Sequence, residues 1–154
     1  MLSERQELLK TLRAGPVILR KLVRGLDETA VRRRPAAGEW AIVEVVGHLG
    51  DTEERAVGRL QRMLAEDEPF LPAYDPNRLA EEHRYLELEL GPSLDRFVRL
   101  RADHLAALET LDDAGWRRTG RHEEDGPITV QQQAAHIAGE DGNHLAQIAH
   151  LVPE

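Results

Sequence analysis

Apolar residues recur along most of the chain at the three- and four-residue spacing of a helix, and the alternation typical of a strand is almost absent. The pattern predicts four long helices, the first beginning near residue 3 and the others covering about 41–65, 93–111 and 130–150. Ser3 and Gln6 have the spacing of a capping box, which supports the first of these starts. Thr129 and Gln132 repeat that spacing at the start of the fourth helix.

Proline and glycine interrupt this pattern at two places. The Gly15-Pro16 pair lies inside the first helix and predicts a kink or a restart there. The segment 66–92 contains four prolines and predicts a long connection with a short helix near 78–88, which covers part of the fold or crosses one end of it. Four helices with one extended crossover between helices 2 and 3 predict an all-α four-helix bundle, with residues 1–154 forming a single domain.

The composition narrows the classes of function. With 20 Lys plus Arg against 28 Asp plus Glu, the net charge is −8, which argues against nucleic-acid binding. No apolar run approaches the length of roughly 18–20 residues that a membrane span needs, and the first residues lack a secretory signal, so we expect a cytoplasmic protein. The chain has no cysteine, which excludes a protein thiol as nucleophile or zinc ligand. A thiol in its chemistry must therefore come from another molecule.

Three residues form a candidate metal site. Glu140 and His144 are four positions apart and share one helix face, and His48 lies inside an apolar run of the second helix. His and carboxylate ligands suit a divalent ion, zinc first, with nickel, iron or manganese as alternatives. Three protein ligands leave positions open, as in catalytic sites. The alternatives are a buried His48 paired with a carboxylate and an ordinary Glu140–His144 pair on a solvated face. His136 is expected in the core or behind the ligands, with a place among the ligands as the alternative.

Asp51 and Gln147 are the candidate catalytic residues near these ligands. Asp51 follows His48 by three positions, and could orient a ligand, accept a proton or face solvent. Gln147 follows His144 by three positions and could orient that ligand or bind substrate. Trp40 and Trp116 are expected to be packing residues. Arg32–Arg34 are expected in a solvated loop, with binding of an anionic substrate or thiol as the alternative. The remaining histidines are expected at the surface or in packing: His83, His104, His122 and His150.

Two segments resemble the DinB/YfiT-like superfamily. Pro35–Trp40 followed by Ile42–Glu53 is similar to the start of the second helix of that family, and Glu140–Ile148 is similar to its fourth-helix motif. The resemblance implies a four-helix bundle with a divalent metal on His48, Glu140 and His144. Many members have His where this chain has Glu140; the His, Glu and His set is similar to the mycothiol-dependent maleylpyruvate isomerase branch, where it holds zinc.

The resemblance implies an enzyme that uses a low-molecular-weight thiol, bacillithiol or mycothiol, on a small-molecule substrate. Such an enzyme is a thiol S-transferase or a thiol-dependent isomerase, because a metal lowers the pKa of a bound thiol. Hydrolysis by the metal site is one alternative. Others are a non-catalytic, damage- or stress-associated metal-binding bundle, and a protein with no metal at all. We expect a homodimer.

Overall fold

The computed structural model describes residues 1–154, which form seven α-helices and one small sheet. The elements are α1 (Glu4–Val23), α2 (Glu28–Arg32), α3 (Ile42–Ala65), β1 (Phe70–Leu71), α4 (Pro76–Glu82), a 3-10 turn (Tyr85–Glu87), α5 (Leu90–Glu109), α6 (Asp113–Arg117), β2 (Thr119–His122), β3 (Gly126–Thr129) and α7 (Val130–Leu151). Four long helices dominate, as predicted. The all-α prediction is only approximate, because three short strands form a sheet.

The ends of α1 and α7 confirm the capping-box predictions. The Ser3 hydroxyl accepts a hydrogen bond from the Gln6 backbone N–H, and the Gln6 side chain accepts one from the Ser3 N–H. Thr129 and Gln132 make the same reciprocal pair. Both pairs satisfy backbone donors that a helix start leaves free, so local sequence determines where these helices begin.

The restart predicted within the first helix is wrong, because α1 runs unbroken through Pro16. Both Gly15 and Pro16 are buried, and a Cβ atom at position 15 would lie 2.5 Å from a carboxylate oxygen of Asp141. The glycine therefore permits a close approach between α1 and α7. Tertiary packing at this point outweighs the local cost of proline inside a helix.

The four long helices run up, down, down and up. Arg5 bonds to Gln131 near the first turns of α1 and α7, so these two helices are parallel. Glu53 bonds to Arg101, and Arg96 to Asp51, so α3 and α5 are also parallel. The other neighbouring pairs, α1 with α5 and α3 with α7, are antiparallel; Arg13–Glu109 and Arg20–Asp95 mark the first of them. Parallel neighbours require a connection that returns along the bundle.

The connection between α3 and α5 runs back along the bundle. It starts at β1 beside the end of α3, and its Tyr85 reaches Gly47 near the start of α3. A Cβ atom at Gly47 would lie 3.1 Å from the Tyr85 ring, so the glycine permits this contact. The prediction of a long covering segment is confirmed, although its helical part is divided into α4 and the 3-10 turn.

The small sheet links this connection to the hairpin before α7. Phe70 and Leu71 pair in parallel with Arg121 and His122. Strands β2 and β3 pair antiparallel, with Thr119 opposite Thr129. The sheet thus closes one side of the bundle near the end of α3.

The start of α3 is buried on all sides. Every residue from 41 to 53 is buried, including charged Glu44, Asp51 and Glu53. The crossover and α2 cover the face that an ordinary bundle helix presents to solvent, so each of these charges must find a partner inside the protein. None of the helices has the length and apolar character needed to span a membrane.

Candidate metal centre

The structure brings His48, Glu140 and His144 together across the antiparallel pair α3 and α7. One ligand atom from each residue lies within 4.8 Å of the others. The His48 Nε2 atom is 3.1 Å from the His144 Nε2 atom, and the latter is 3.1 Å from the Glu140 Oε2 atom. The three residues predicted as ligands therefore meet in one place.

These distances fit one divalent ion. Two atoms that each bind zinc at about 2.0–2.1 Å with a tetrahedral angle lie about 3.3 Å apart. Two of the three observed separations, at 3.1 Å, need only a small adjustment to reach that value, and the third, between His48 and Glu140, is within 4.8 Å. The donor set of two imidazoles and one carboxylate is also one that zinc and its first-row neighbours accept.

Gln147 fixes the proton on His144 on the side away from this cluster. The Nδ1 atom of His144 donates to the Gln147 Oε1 atom at 2.9 Å. A neutral imidazole has one N–H, so its Nε2 atom then carries a lone pair. That lone pair faces the Glu140 carboxylate, which is also an acceptor. Two acceptors face each other favourably only when a proton or a cation lies between them, and this supports a cation site.

His48 is held in the neutral form that a metal ligand requires. It is 5% exposed, and the Trp40 ring packs on it with 5.0 Å between ring centres. Burial, reinforced by His144, lowers the pKa of His48 to about 4. The Thr52 hydroxyl lies 3.5 Å from the His48 Nε2 atom on the same helix face. Trp40 therefore both packs, as predicted, and forms a wall of the site.

Asp51 points into a different network. Its carboxylate accepts hydrogen bonds from Arg96 at 2.8 Å, from His83 at 2.6 Å and from the Tyr85 hydroxyl. Burial raises its pKa, but these three hydrogen bonds outweigh burial and hold the pKa below its ordinary value. No hydrogen bond joins Asp51 to His48. Packed rings run from its partner Tyr85 through Trp40 to His48.

A cavity of about 570 Å³ opens beside the three ligands. It is lined by side chains from α3, α7, the crossover and the hairpin, among them Trp40, Thr52, Arg55, Arg59, Tyr74, His122, Gln133, His136 and Ile137. His136 is exposed and lines this cavity, so its predicted place in the core or behind the ligands is wrong. Its position two turns before His144 places it along the cavity wall instead.

Sequence reasoning did not single out several of these wall residues. Arg55 follows His48 by seven positions on α3, which returns to nearly the same helix face. That spacing was a usable signal. Tyr74 and His122 had none, because the crossover and the hairpin reach the cavity only through the tertiary fold.

A fully buried ionic cluster lies next to the site. Arg101 donates to both carboxylate oxygens of Glu53 at 2.8 and 3.0 Å, and to those of Asp141 at 2.6 and 2.8 Å. His104 donates to Glu53 at 2.7 Å. Asp141 directly follows Glu140, so this cluster fixes the helix turn that carries a ligand. Of its four members, only His104 was assigned a place from the sequence, as a packing or surface residue.

Comparison with known proteins identifies the family of this chain. A model of the DinB superfamily matches residues 11–148. A Geobacillus kaustophilus protein named "Putative metal-dependent hydrolase" is 30% identical over 150 residues, covering 97% of this chain and 84% of the relative. A relative of the same name from Oceanobacillus iheyensis is 28% identical over 136 residues, and the match covers 88% of this chain and 78% of the relative.

Two solved structures share the fold. YfiT from Bacillus subtilis, described as "a probable metal-dependent hydrolase with an unusual four-helix bundle topology", has a TM-score of 0.89 at 23% identity and covers 98% of this chain and 88% of its own. The mycothiol-dependent maleylpyruvate isomerase has a TM-score of 0.76 at 12% identity, and the match covers 96% of this chain and 63% of the isomerase chain. At these identities the likeness establishes the bundle architecture.

Proposed function

Because this chain belongs to the DinB superfamily, we propose that it is a divalent-metal-dependent enzyme whose ion is held by His48, Glu140 and His144. The observation that carries this proposal is the convergence of three ligand atoms within 4.8 Å at the wall of a large cavity. A closed structural site would have a fourth protein ligand; three ligands leave room for a substrate. The names of the two relatives as metal-dependent enzymes support the same reading.

We further propose that the reaction uses a low-molecular-weight thiol as the nucleophile. A divalent ion in this site supplies Lewis acidity, which lowers the pKa of a bound thiol or water. The chain has no cysteine, so the thiol comes from outside. Bacillithiol and mycothiol are the candidate thiols, and a thiol S-transferase or thiol-dependent isomerase is the expected type of enzyme. The shared fold with the mycothiol-dependent isomerase supports this proposal.

The chain's own residues have separable roles in this proposal. Gln147 is a positioning residue, since it holds the His144 ring so that Nε2 faces the ion. Trp40 and the buried face of α3 shield His48 from solvent and keep it neutral. Asp51 is also a positioning residue, acting through Tyr85 and Trp40 on the ring of His48.

Glu140 sets the charge at the site. A carboxylate in place of a second imidazole on α7 brings one negative charge to the ion. An ion held by this set would keep a lower net charge than one held by three neutral imidazoles, and its Lewis acidity would be weaker.

Hydrolysis is the second candidate function, and the names of the relatives favour it. In that case the same ligands activate water, and no thiol is needed. Zinc-loaded protein should be assayed with bacillithiol, mycothiol and a generic electrophile, and separately with ester and amide substrates in the absence of thiol. Thiol-dependent turnover that is lost in His144→Ala supports the transferase proposal. Turnover only without thiol supports the hydrolase, and absence of any bound divalent metal contradicts both.

A further inference from the structure

One face of α3 lines the cavity with a polar stripe whose two arginines lie outside the metal centre. His48, Thr52, Arg55 and Arg59 follow one another at intervals of four, three and four residues along α3, and all four line the cavity. Such spacing places them on one helix face. The stripe thus runs from a candidate metal ligand at one end to two arginines at the other, in a protein whose net charge is −8.

The guanidinium group of Arg55 is held in place without an acceptor. Its Nη1 atom is shielded from solvent and has no hydrogen-bond partner, and the side chain forms no ion pair. The guanidinium lies over the Tyr74 ring, with 3.0 Å between Cζ and the ring centre. By contrast, the Arg59 Nη2 atom donates to the Pro72 carbonyl at 2.6 Å. Stacking on Tyr74 orients the Arg55 group, and its other N–H donors form no hydrogen bond and remain available to a ligand.

Gln133 gives a second, independent sign of a polar ligand on the facing helix. It is only 5% exposed and lines the same cavity. Its Nε2 atom donates to the Ala56 carbonyl at 3.3 Å, whereas its Oε1 atom has no partner. Buried polar atoms without partners are rare in folded proteins, and here a donor and an acceptor both lie in one cavity wall.

We propose that Arg55 binds the carboxylate of an organic acid that is the substrate in this cavity. The inference specifies the substrate of the enzyme proposed above and rests on that function. The guanidinium fork matches an oxyanion and forms strong charge-assisted hydrogen bonds with it. A carboxylate is favoured over a phosphate dianion because Glu124, Asp125 and Glu140 also line the cavity and repel a second negative charge.

The position of Arg55 also relates the bound acid to the metal centre. Arg55 is seven residues from His48, so their Cα atoms are about 10 Å apart along the helix axis. Side chains on a helix lean toward its N-terminus, so the Arg55 side chain extends back toward His48. A carboxylate bound to Arg55 would therefore lie along the same cavity wall as the metal centre, and Tyr74, Ile128 and Ile137 also line this cavity.

A binding measurement on labelled protein tests this without turnover. We suggest titrating ¹⁵N-labelled, zinc-loaded protein with phenylacetate and with phenylacetamide, its neutral isostere, and following amide shifts by NMR. Wild type should bind the acid about tenfold or more tightly than the amide, as expected for one charged hydrogen-bonded contact. Arg55→Gln should lose that preference. Arg99→Gln makes the same charge change at an exposed position of α5 and should keep it.

Three further arms decide the origin of the effect. Arg55→Lys retains the charge and should keep part of the preference, and its spectrum, like that of Arg55→Gln, reports whether the fold is intact. Metal-free wild type should still prefer the acid; a preference that disappears with the metal means that the ion binds the carboxylate, and the inference is then wrong. An unchanged preference in Arg55→Gln also overturns it. Zinc content, measured on the same samples and on His144→Ala, tests the proposed metal function separately.

Discussion

The Nε2 atoms of His48 and His144 lie 3.1 Å apart although the two residues are 96 positions apart in the chain. The antiparallel packing of α3 on α7 produces this approach. Each nitrogen is presented by a rigid helix, and Gln147 orients one of the two rings. The pair is therefore preorganised, and its occupancy by metal can be tested by removing either member.

Removing either histidine should abolish metal binding. His48→Ala or His144→Ala leaves two ligands, which do not hold a divalent ion against exchange with solvent. The measurement is metal content by elemental analysis of protein purified without an affinity tag. His136→Ala is the control, because His136 lines the same cavity outside the ligand cluster and its loss should leave the metal content unchanged. Metal retained in both ligand variants would falsify the site.

Gln147→Leu should weaken zinc binding by about 10–100-fold, the usual cost of losing the partner that orients a ligand imidazole. The physical reason is the lost acceptor for the His144 Nδ1–H, which allows the ring to turn and its proton to move to Nε2. Competition with a chromophoric chelator measures the affinity. Gln147→Glu keeps an acceptor at this position and should stay close to wild type. Equal affinities for the Leu and Glu variants would show that Gln147 does not position the ring.

Gly15→Ala should destabilise the protein by about 1–3 kcal/mol, the usual cost of inserting a methyl group into a close-packed interior. The new Cβ atom would lie 2.5 Å from Asp141 Oδ2 and 3.1 Å from Arg101 Nη1, inside the buried ionic cluster. Urea unfolding at neutral pH measures the change in the free energy of unfolding.

The matched control for that substitution is Gly139→Ala on α7. Nothing lies within 4 Å of a Cβ atom at this position, and the residue is exposed within a helix. Alanine should therefore stabilise the protein by about 0.5–1 kcal/mol, because it lowers the entropy that a helical glycine loses on folding. Two glycine variants with effects of the same sign would contradict this interpretation of Gly15.

Stability should fall with acidification as the buried Glu53 carboxylate takes up a proton. Burial raises its pKa, but hydrogen bonds from His104 and Arg101 outweigh burial and hold the pKa below its ordinary value of 4.5. The unfolded chain then binds this proton at a higher pH than the folded protein does. The stabilisation is complete above about pH 4.5 and is lost as the pH falls through the lower, folded-state pKa.

The urea midpoint between pH 7 and pH 3 measures this dependence. Glu53→Gln should be less stable than wild type at pH 7, because Arg101 loses the charge of one of its two carboxylate partners. Its stability should also fall less steeply below pH 4.5, since the titrating group is absent. Parallel curves for the two proteins would mean that Glu53 does not account for the acid sensitivity.

Local sequence was sufficient to predict the helix starts and to group the three candidate ligand residues. Ser3 and Thr129 have their capping partners within three residues, so the predicted starts of α1 and α7 agree with the structure. Glu140 and His144 share a helix face by spacing alone. His48 was assigned as their partner from its apolar surroundings, and the structure places it beside them.

The features that the sequence did not predict depend on contacts between segments that are distant in the chain. Pro16 looked like a break because the compensating approach of Asp141 to Gly15 is invisible along the chain. The three strands were not predicted because each has only two to four residues, and β1 pairs with a strand about 50 positions further along the chain. Asp51 was placed beside His48 by its spacing, but its charge is satisfied by Arg96, 45 positions away, and by the crossover.

The arrangement of the helices also has a consequence for biosynthesis. Two of the three proposed ligands lie on α7, which is synthesised after α1 to α6 and packs between α1 and α3. A nascent chain that has made only α1 to α6 presents His48 without its partners. A metal ion held at the proposed site would therefore bind in its final geometry only after α7 has joined the bundle.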